Sequence, residues 1–229
     1  MHISPDDYQA LRRQMVETQL AARGIADQRV LAVMRRLPRH LFVHPDLAAQ
    51  AYDDGPLPIP GSQTISQPYI VALMTEALCL RGSERVLEVG AGSGYQTAVL
   101  CALAAHVCTL EYLPRLAAAA GERLARLGVA NVAVHVGDGG LGLPAAAPFD
   151  AILVTAAAPS IPGPLRTQLA PDGGRLVIPV GTHDKQDLLR VTRQGETWRI
   201  EKLLPVRFVL LRGRCGFPEQ RGDSAPAEA

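Results

Sequence analysis

The chain has 229 residues, 48% hydrophobic and 20% charged, which suits one large or two small globular domains with a core of their own. Twenty-three Lys+Arg against 22 Asp+Glu leave a net charge of +1, so bulk electrostatics gives no reason to expect nucleic acid or an anionic membrane as partner. No run approaches the roughly 18 apolar residues of a membrane span, and the first residues lack the apolar segment of a secretory signal, so a cytoplasmic protein is expected; the sequence leaves the oligomeric state open, with a monomer the expectation.

Residues 5–22 carry Leu11, Met15, Thr18 and Leu20 at helical spacing, and Gly24 ends that helix. Asp27 reads as the cap of a second helix with Val30, Leu31, Val33, Met34 and Leu37, stopped by Pro38. A short apolar piece, Leu41 to Val43, follows. His40 and His44 are spaced to share a helix face, but no acidic residue accompanies them in a metalloprotease pattern, so they read as surface or packing residues. Residues 52–68, dominated by Gly, Pro, Asp and Ser, read as an ordered loop rather than helix or strand. Loops of that length inside a compact domain are usually functional. Pro68 then opens a helix running to Leu78.

From residue 84 strands and helices alternate. Strands are expected at 85–89, 106–111, 132–136, 151–155 and 175–180, with helices at 95–103, 114–127 and 162–169. That alternation specifies a parallel sheet with helices on both faces. Residues 187–193 and 197–202 alternate polar and apolar around Gly195 and read as an antiparallel hairpin. Val206 to Leu211 reads as one more strand, and residues 213–229 as a disordered tail. Cys79, Cys101, Cys108 and Cys215 form no CxxC pair and no Cys/His cluster has ligand spacing, so no metal is expected and the cysteines read mainly as buried small hydrophobes.

The sharpest local feature is Val86-Leu-Glu-Val-Gly90-Ala-Gly92-Ser-Gly94-Tyr-Gln-Thr97: strand, glycine turn, helix start. Glycines let a ligand approach the backbone, and the helix N-terminus points N–H groups at the turn. A dinucleotide site wants GxGxxG, whereas the glycines here are spaced GxGxG and Tyr95 stands where that pattern wants Gly or Ala. Seventeen residues after Gly94, Glu111 ends the next strand, where a carboxylate accepts both hydroxyls of a ribose. Asp138, between Gly137 and Gly139, ends the third and either reaches an adenine amino group or serves its own turn. Three successive strand ends with suitable polar residues weigh more than any one of them, because ligands of open parallel sheets sit there.

Together with the block Gln63-Thr64-Ile65-Ser66-Gln67-Pro68-Tyr69, these motifs resemble the protein-L-isoaspartate (D-aspartate) O-methyltransferase family. Further matching pieces are Pro148 to Ile152, Thr155 to Ala157, Leu176 to Gly181 and Val206 to Val209, so the resemblance spans roughly residues 10–212. It implies an α/β, class I (Rossmann-like) methyltransferase fold, with a mostly parallel doubly wound sheet, an antiparallel C-terminal hairpin and an N-terminal helical segment. Residues 1–67 would supply N-terminal helices and an active-site loop, and residues 68–212 the cofactor-binding core, the two forming one compact domain. The implied cofactor is S-adenosyl-L-methionine, held by Glu88, Gly90, Ala91, Gly92, Gly94, Gln96, Thr97, Glu111, Tyr112, Gly137, Asp138 and Gly139. Ser66 corresponds to the family's active-site serine, with Thr64, Ile65, Gln67, Pro68, Val206 and Val209 along the substrate. The implied partners are isoaspartyl-containing proteins and peptides. Their α-carboxylate receives the methyl, and the ester closes to a succinimide that returns in part to aspartate. The chain departs from the family at Pro60-Gly61-Ser62, where glycine-rich sequence is usual, and at Leu210, where proline is common.

A carboxylate is already ionised at neutral pH and needs no general base, so the lack of a Ser-His-Asp or Cys-His set fits this chemistry. Ser66 also reads as an N-cap for the helix opening at Pro68. The cofactor motifs equally fit a small-molecule methyltransferase, and more distantly a nicotinamide dehydrogenase or a scaffold that has lost activity.

Overall fold

The computed structural model describes residues 4–218. Helix α1 (Pro5–Met15) starts in a capping box in which the Ser4 hydroxyl and the Asp7 carboxylate satisfy each other's backbone N–H groups. The expected single helix over 5–22 then widens into a π-turn at Val16–Leu20 and tightens into a 3₁₀ turn at Ala21–Arg23. Gly24 closes it with φ +95°. Asp27 caps α2 (Gln28–Arg36), accepting from Arg29 N–H at 2.8 Å. Leu41 and Phe42 lie in a 3₁₀ turn, and His40 and His44 fall on separate turns rather than one helix face. His40 stacks on Tyr8 with ring centroids 3.8 Å apart and pairs through Nδ1 with the Tyr52 hydroxyl, the packing role expected for it.

The 52–68 segment is ordered but not strand-free. β1 (Leu57–Ile59) and β2 (Gln63–Ile65) pair antiparallel, Leu57 opposite Ile65. The turn between them places Ser62 at φ +54°, a region that favours glycine, so the departure from the family's glycine-rich sequence is felt in this turn. Pro68 opens α3 (Pro68–Ala77) as expected.

The remaining elements are β3 (Arg85–Val89), α4 (Tyr95–Cys101), β4 (His106–Glu111), α5 (Pro114–Arg126), β5 (Val132–Val136), β6 (Ala151–Val154), α6 (Gly163–Thr167), β7 (Asp172–Gly181), β8 (Gln186–Gln194) and β9 (Thr197–Val206). Seven strands form one sheet in the order β5-β4-β3-β6-β7-β8-β9. β3 to β7 are mutually parallel, and β8 runs antiparallel to both β7 and β9. The hairpin is longer than its alternation suggested, because β9 runs on through Val206. Residues 207–211 are therefore not a further strand: they lean on Ala157, whose N–H donates to Val209 O and whose carbonyl accepts from Leu211 N–H. Those bonds use the residues on either side of Leu210, so a proline at this position would remove no donor from them.

Central strands buried on both faces feed two cores. Val86 and Leu153 face one, which also holds Met15, Leu20, Met34 and Phe42 of the N-terminal segment with Val71, Met74 and Leu100. Leu87, Val89, Ile152 and Val154 face the other. This period-two partition is what a strand covered on both sides requires. Residues 213–218 belong to the described fold rather than to the expected tail: Arg214 N–H bonds to Asp138 and Phe217 N–H to Leu211 O. The rest of that tail, 219–229, lies outside the described residues.

Cys101 and Cys108 are buried as expected, and burial raises both thiols, Cys101 to about 12. Cys79 is exposed instead, and Cys215 half-buried. Among the described residues no cluster of His, Cys, Asp or Glu is arranged to hold a metal, and no helix is long and apolar enough to cross a membrane.

Candidate active site

The sheet order reverses at β3, with β4 on one side and β6 on the other. Loops leaving the carboxyl ends of neighbouring parallel strands diverge there and leave a cleft. The cleft is floored by Gly90, Ala91 and Gly92 after β3, walled by Glu111, Tyr112 and Leu113 after β4, and closed by Thr155 after β6. Gln96 and Gly139 also line it.

The glycine turn has a stated backbone reason. Gly90 adopts φ +95°, and a Cβ there would stand 2.2 Å from Thr155 Oγ1. Thr155 cannot swing aside cheaply, since its hydroxyl donates to Gly90 O at 2.8 Å and Val89 O at 3.0 Å. Arg123 secures the far side of the turn, donating from Nη1 to Ser93 O at 2.6 Å. Glu111, buried at 6% exposure, accepts from Gly92 N–H at 2.9 Å through Oε2 and from Leu113 N–H at 3.0 Å through Oε1. Two backbone donors thus fix the carboxylate at the rim, where its remaining lone pairs suit a pair of vicinal hydroxyls.

Several residues expected on the cofactor support the cleft from behind. Glu88 is fully buried under the turn, and its Oε2 accepts from the hydroxyls of Thr97 at 2.5 Å and Thr109 at 2.7 Å. Neither Glu88 nor Thr97 lines the cleft. Burial, reinforced by the charge of Glu111, pushes the Glu88 carboxyl up to about 8, so it is protonated at neutral pH. Its folded-state pKa lies above the ordinary 4.5, so the folded protein holds a proton that the unfolded chain releases, and stability falls as pH rises from about 4.5 to about 8. Glu88→Gln is expected to flatten that part of the stability profile, as thermal melts across the range will read. Gly94 stands at the N-cap of α4 with φ +85° and packs toward Ala120, and Gly137 N–H donates to Glu111 O at 3.0 Å; both shape the rim without lining it. Asp138 is turned into its own loop and the C-terminal segment, accepting from Gly140 N–H at 2.9 Å and Arg214 N–H at 2.7 Å. That is the turn reading of this residue.

On the opposite wall, Thr64, Ile65 and Ser66 of the β2 region face the cleft, as does Val209. A second groove lies outside it, bordered by Gln67, Val206 and Phe208. Thr64, Ser66 and Thr155 are common to both, so they form the seam between inner cleft and outer groove. The capping reading of Ser66 falls: Gln67 occupies the cap position of α3 and makes no side-chain cap bond. The Gln67 amide instead donates to Asp54 Oδ1 at 2.7 Å, and Pro68 is buried at the start of α3. Residues without an expected role that nonetheless line the cleft include Thr155, Leu113, Ser93 and the 210–212 segment. The strand-end rule points to Thr155, which directly follows β6, and Ser93 stands inside the glycine turn itself; no motif role marks Leu113 or the 210–212 segment.

A doubly wound sheet with a glycine turn at the strand switch, an acidic rim residue after the next strand and an antiparallel C-terminal hairpin defines a class I methyltransferase. The family model for protein-L-isoaspartate(D-aspartate) O-methyltransferase matches residues 10–216. A protein-L-isoaspartate O-methyltransferase of Syntrophobacter fumaroxidans is 55% identical over 92% of this chain and 98% of its own. One from Methanoregula boonei is 56% identical over 90% of this chain and 94% of its own. Among solved structures, a Plasmodium falciparum protein described as a putative protein-L-isoaspartate O-methyltransferase in complex with S-adenosyl-L-homocysteine superposes with a TM-score of 0.74 at 26% identity, over 88% of this chain and 98% of that one. The chain belongs to the protein-L-isoaspartate (D-aspartate) O-methyltransferase family.

Proposed function

We propose that this protein methylates the α-carboxylate of L-isoaspartyl residues in damaged proteins, using S-adenosylmethionine held in the cleft. The observation that carries the reading is the seam of Thr64, Ser66 and Thr155, which joins a cleft suited to an adenosyl ligand to an outer groove open to a peptide. A bound S-adenosylmethionine would supply a sulfonium methyl.

The donor set fits that ligand. Glu111 offers a rim carboxylate for the ribose hydroxyls, and glycine at position 90 lets the cleft floor lie against Thr155 with no Cβ between them. Ile65, Val71 and Leu110 supply apolar wall. Ser66 donates a hydrogen bond to the substrate carboxylate or its neighbouring amide and so aims one oxygen at the methyl; it is not a nucleophile. Orientation of this kind supplies up to roughly 7–11 kcal/mol in well-positioned systems. Opposite charges cancel as the new bond forms, which a dry pocket favours over water, and the 52–68 loop over the seam supports exclusion of solvent. The outer groove between Gln67 and Val206 takes the flanking peptide backbone.

The protein acts as a monomer in the cytoplasm without nucleic acid; balanced charge and four free cysteines support this assignment. The deciding experiment is transfer of labelled methyl from S-adenosylmethionine to an isoaspartyl peptide, with the aspartyl peptide of the same sequence as control. Label on the first alone supports the reading; label on neither, or on both equally, overturns it.

A further inference from the structure

Arg39 is wholly buried, and among the described residues no acidic side chain pairs with it. Burial lowers its pKa to about 10, so it stays charged at neutral pH. A lone interior cation is costly, and one of its nitrogens, Nη1, has no hydrogen-bond partner among the described residues. Plain stability is thus a poor account of why a guanidinium stands here.

Its contacts give a better one. Nε donates to Ala51 O at 2.7 Å and Nη2 to Ser66 O at 2.8 Å. Those two carbonyls bracket residues 52–65, the segment that folds as β1 and β2 and brings Thr64 and Ile65 to the cleft. The guanidinium also lies over the Tyr95 ring, 4.9 Å from its centroid, and Tyr95 is the first residue of α4, directly after the glycine turn. One planar fork therefore touches both ends of the loop and the start of the helix that follows the cofactor turn. An ammonium has neither the diverging donors nor the flat face for all three contacts.

We propose that Arg39 is a positioning residue for methyl transfer, its guanidinium holding Ser66 at a fixed place relative to the glycine turn. It touches neither cofactor nor peptide and acts through the Ser66 carbonyl and the Tyr95 ring. The proposal rests on residues 64–66 being the seam between cofactor and substrate. It assigns the cost of a buried charge to geometry: misplacement of a reacting group by about 1 Å costs on the order of 100-fold in rate.

The test compares Arg39→Lys and Arg39→Met with the unaltered protein, at a temperature where all are folded by thermal melt. The measurements are kcat and KM for an isoaspartyl peptide, affinity for S-adenosylhomocysteine, and amide hydrogen exchange along the chain. Expected are a kcat lower by about 10- to 100-fold in both variants, S-adenosylhomocysteine affinity close to that of the unaltered protein, and faster exchange confined to residues 52–66. Normal kcat in either variant, or exchange accelerated throughout the chain in step with lost stability, overturns the proposal. Should Arg39→Met fail to fold, Arg39→Lys decides alone. An unaltered protein that transfers no methyl to the peptide rejects the functional reading instead, and the exchange pattern still reports on what Arg39 holds.

Discussion

Ser66→Ala is expected to slow methyl transfer to an isoaspartyl peptide by about 10- to 100-fold while affinity for S-adenosylhomocysteine stays nearly intact. The magnitude follows from losing one hydrogen bond to a charged group, about 1.5–3 kcal/mol, at about 1.4 kcal/mol per factor of ten. Ser66 stands on the seam, and the Arg39 contact is made by its backbone carbonyl, which alanine keeps. The hydroxyl caps no helix, so its removal leaves α3 untouched. Steady-state kinetics in peptide, with calorimetric titration of S-adenosylhomocysteine beside it, separates the two quantities. A variant as fast as the unaltered protein removes Ser66 from the mechanism, and one that no longer binds the product cofactor moves it to the wrong side of the seam.

Gly90→Ala should have the larger effect, and on the other ligand. An alanine must adopt φ +95°, a region that costs a non-glycine residue on the order of 1–3 kcal/mol. Its Cβ also arrives 2.2 Å from Thr155 Oγ1, and two backbone carbonyls hold that hydroxyl in place. Something must shift, and everything near is either the cleft floor or the end of β6. The expected result is a lower thermal midpoint together with loss of the rise that S-adenosylhomocysteine gives the unaltered protein, since a ligand stabilises only a fold that binds it. Adding Thr155→Ala removes the nearest atom and leaves Thr155 Cβ at 3.6 Å, so the double variant should recover part of the stability. Such non-additivity is the signature of two side chains competing for one space. Full cofactor-induced stabilisation in Gly90→Ala would show that the turn does not set the cleft floor.

Elements whose local chemistry is strong were legible before any tertiary contact was known. Asp27 and Pro68 mark helix starts because capping and a fixed φ act within one turn of chain, and both helices begin where those residues stand. The β3–turn–α4 unit and the strand ends at Glu111 and Gly139 were legible for the same reason, and the structure gathers them around one cleft. The π-turn at Val16–Leu20 and the β1–β2 pairing inside a Gly/Pro-rich loop were not, because each depends on what packs beside it. Glu88 and Asp138 show the limit at the site itself. Their positions in the motif say that a carboxylate stands there, but not whether it faces ligand, two threonine hydroxyls or the chain's own C-terminal segment.

The sequence alone determined the alternation of strands and helices between residues 85 and 180, the glycine turn and the family, since these follow from side-chain period, backbone permissiveness and short motifs within a few residues of one another. The tertiary structure alone decided which acids face the cleft, that Thr155 joins Ser66 on the seam, and that a buried arginine touches both ends of the 52–65 segment. Those facts turn on contacts between residues as far apart as Arg39 and Ala51, 12 positions, and Ser66 and Thr155, 155 − 66 = 89 positions, and nothing in local spacing encodes the direction in which a side chain will point once the chain has folded.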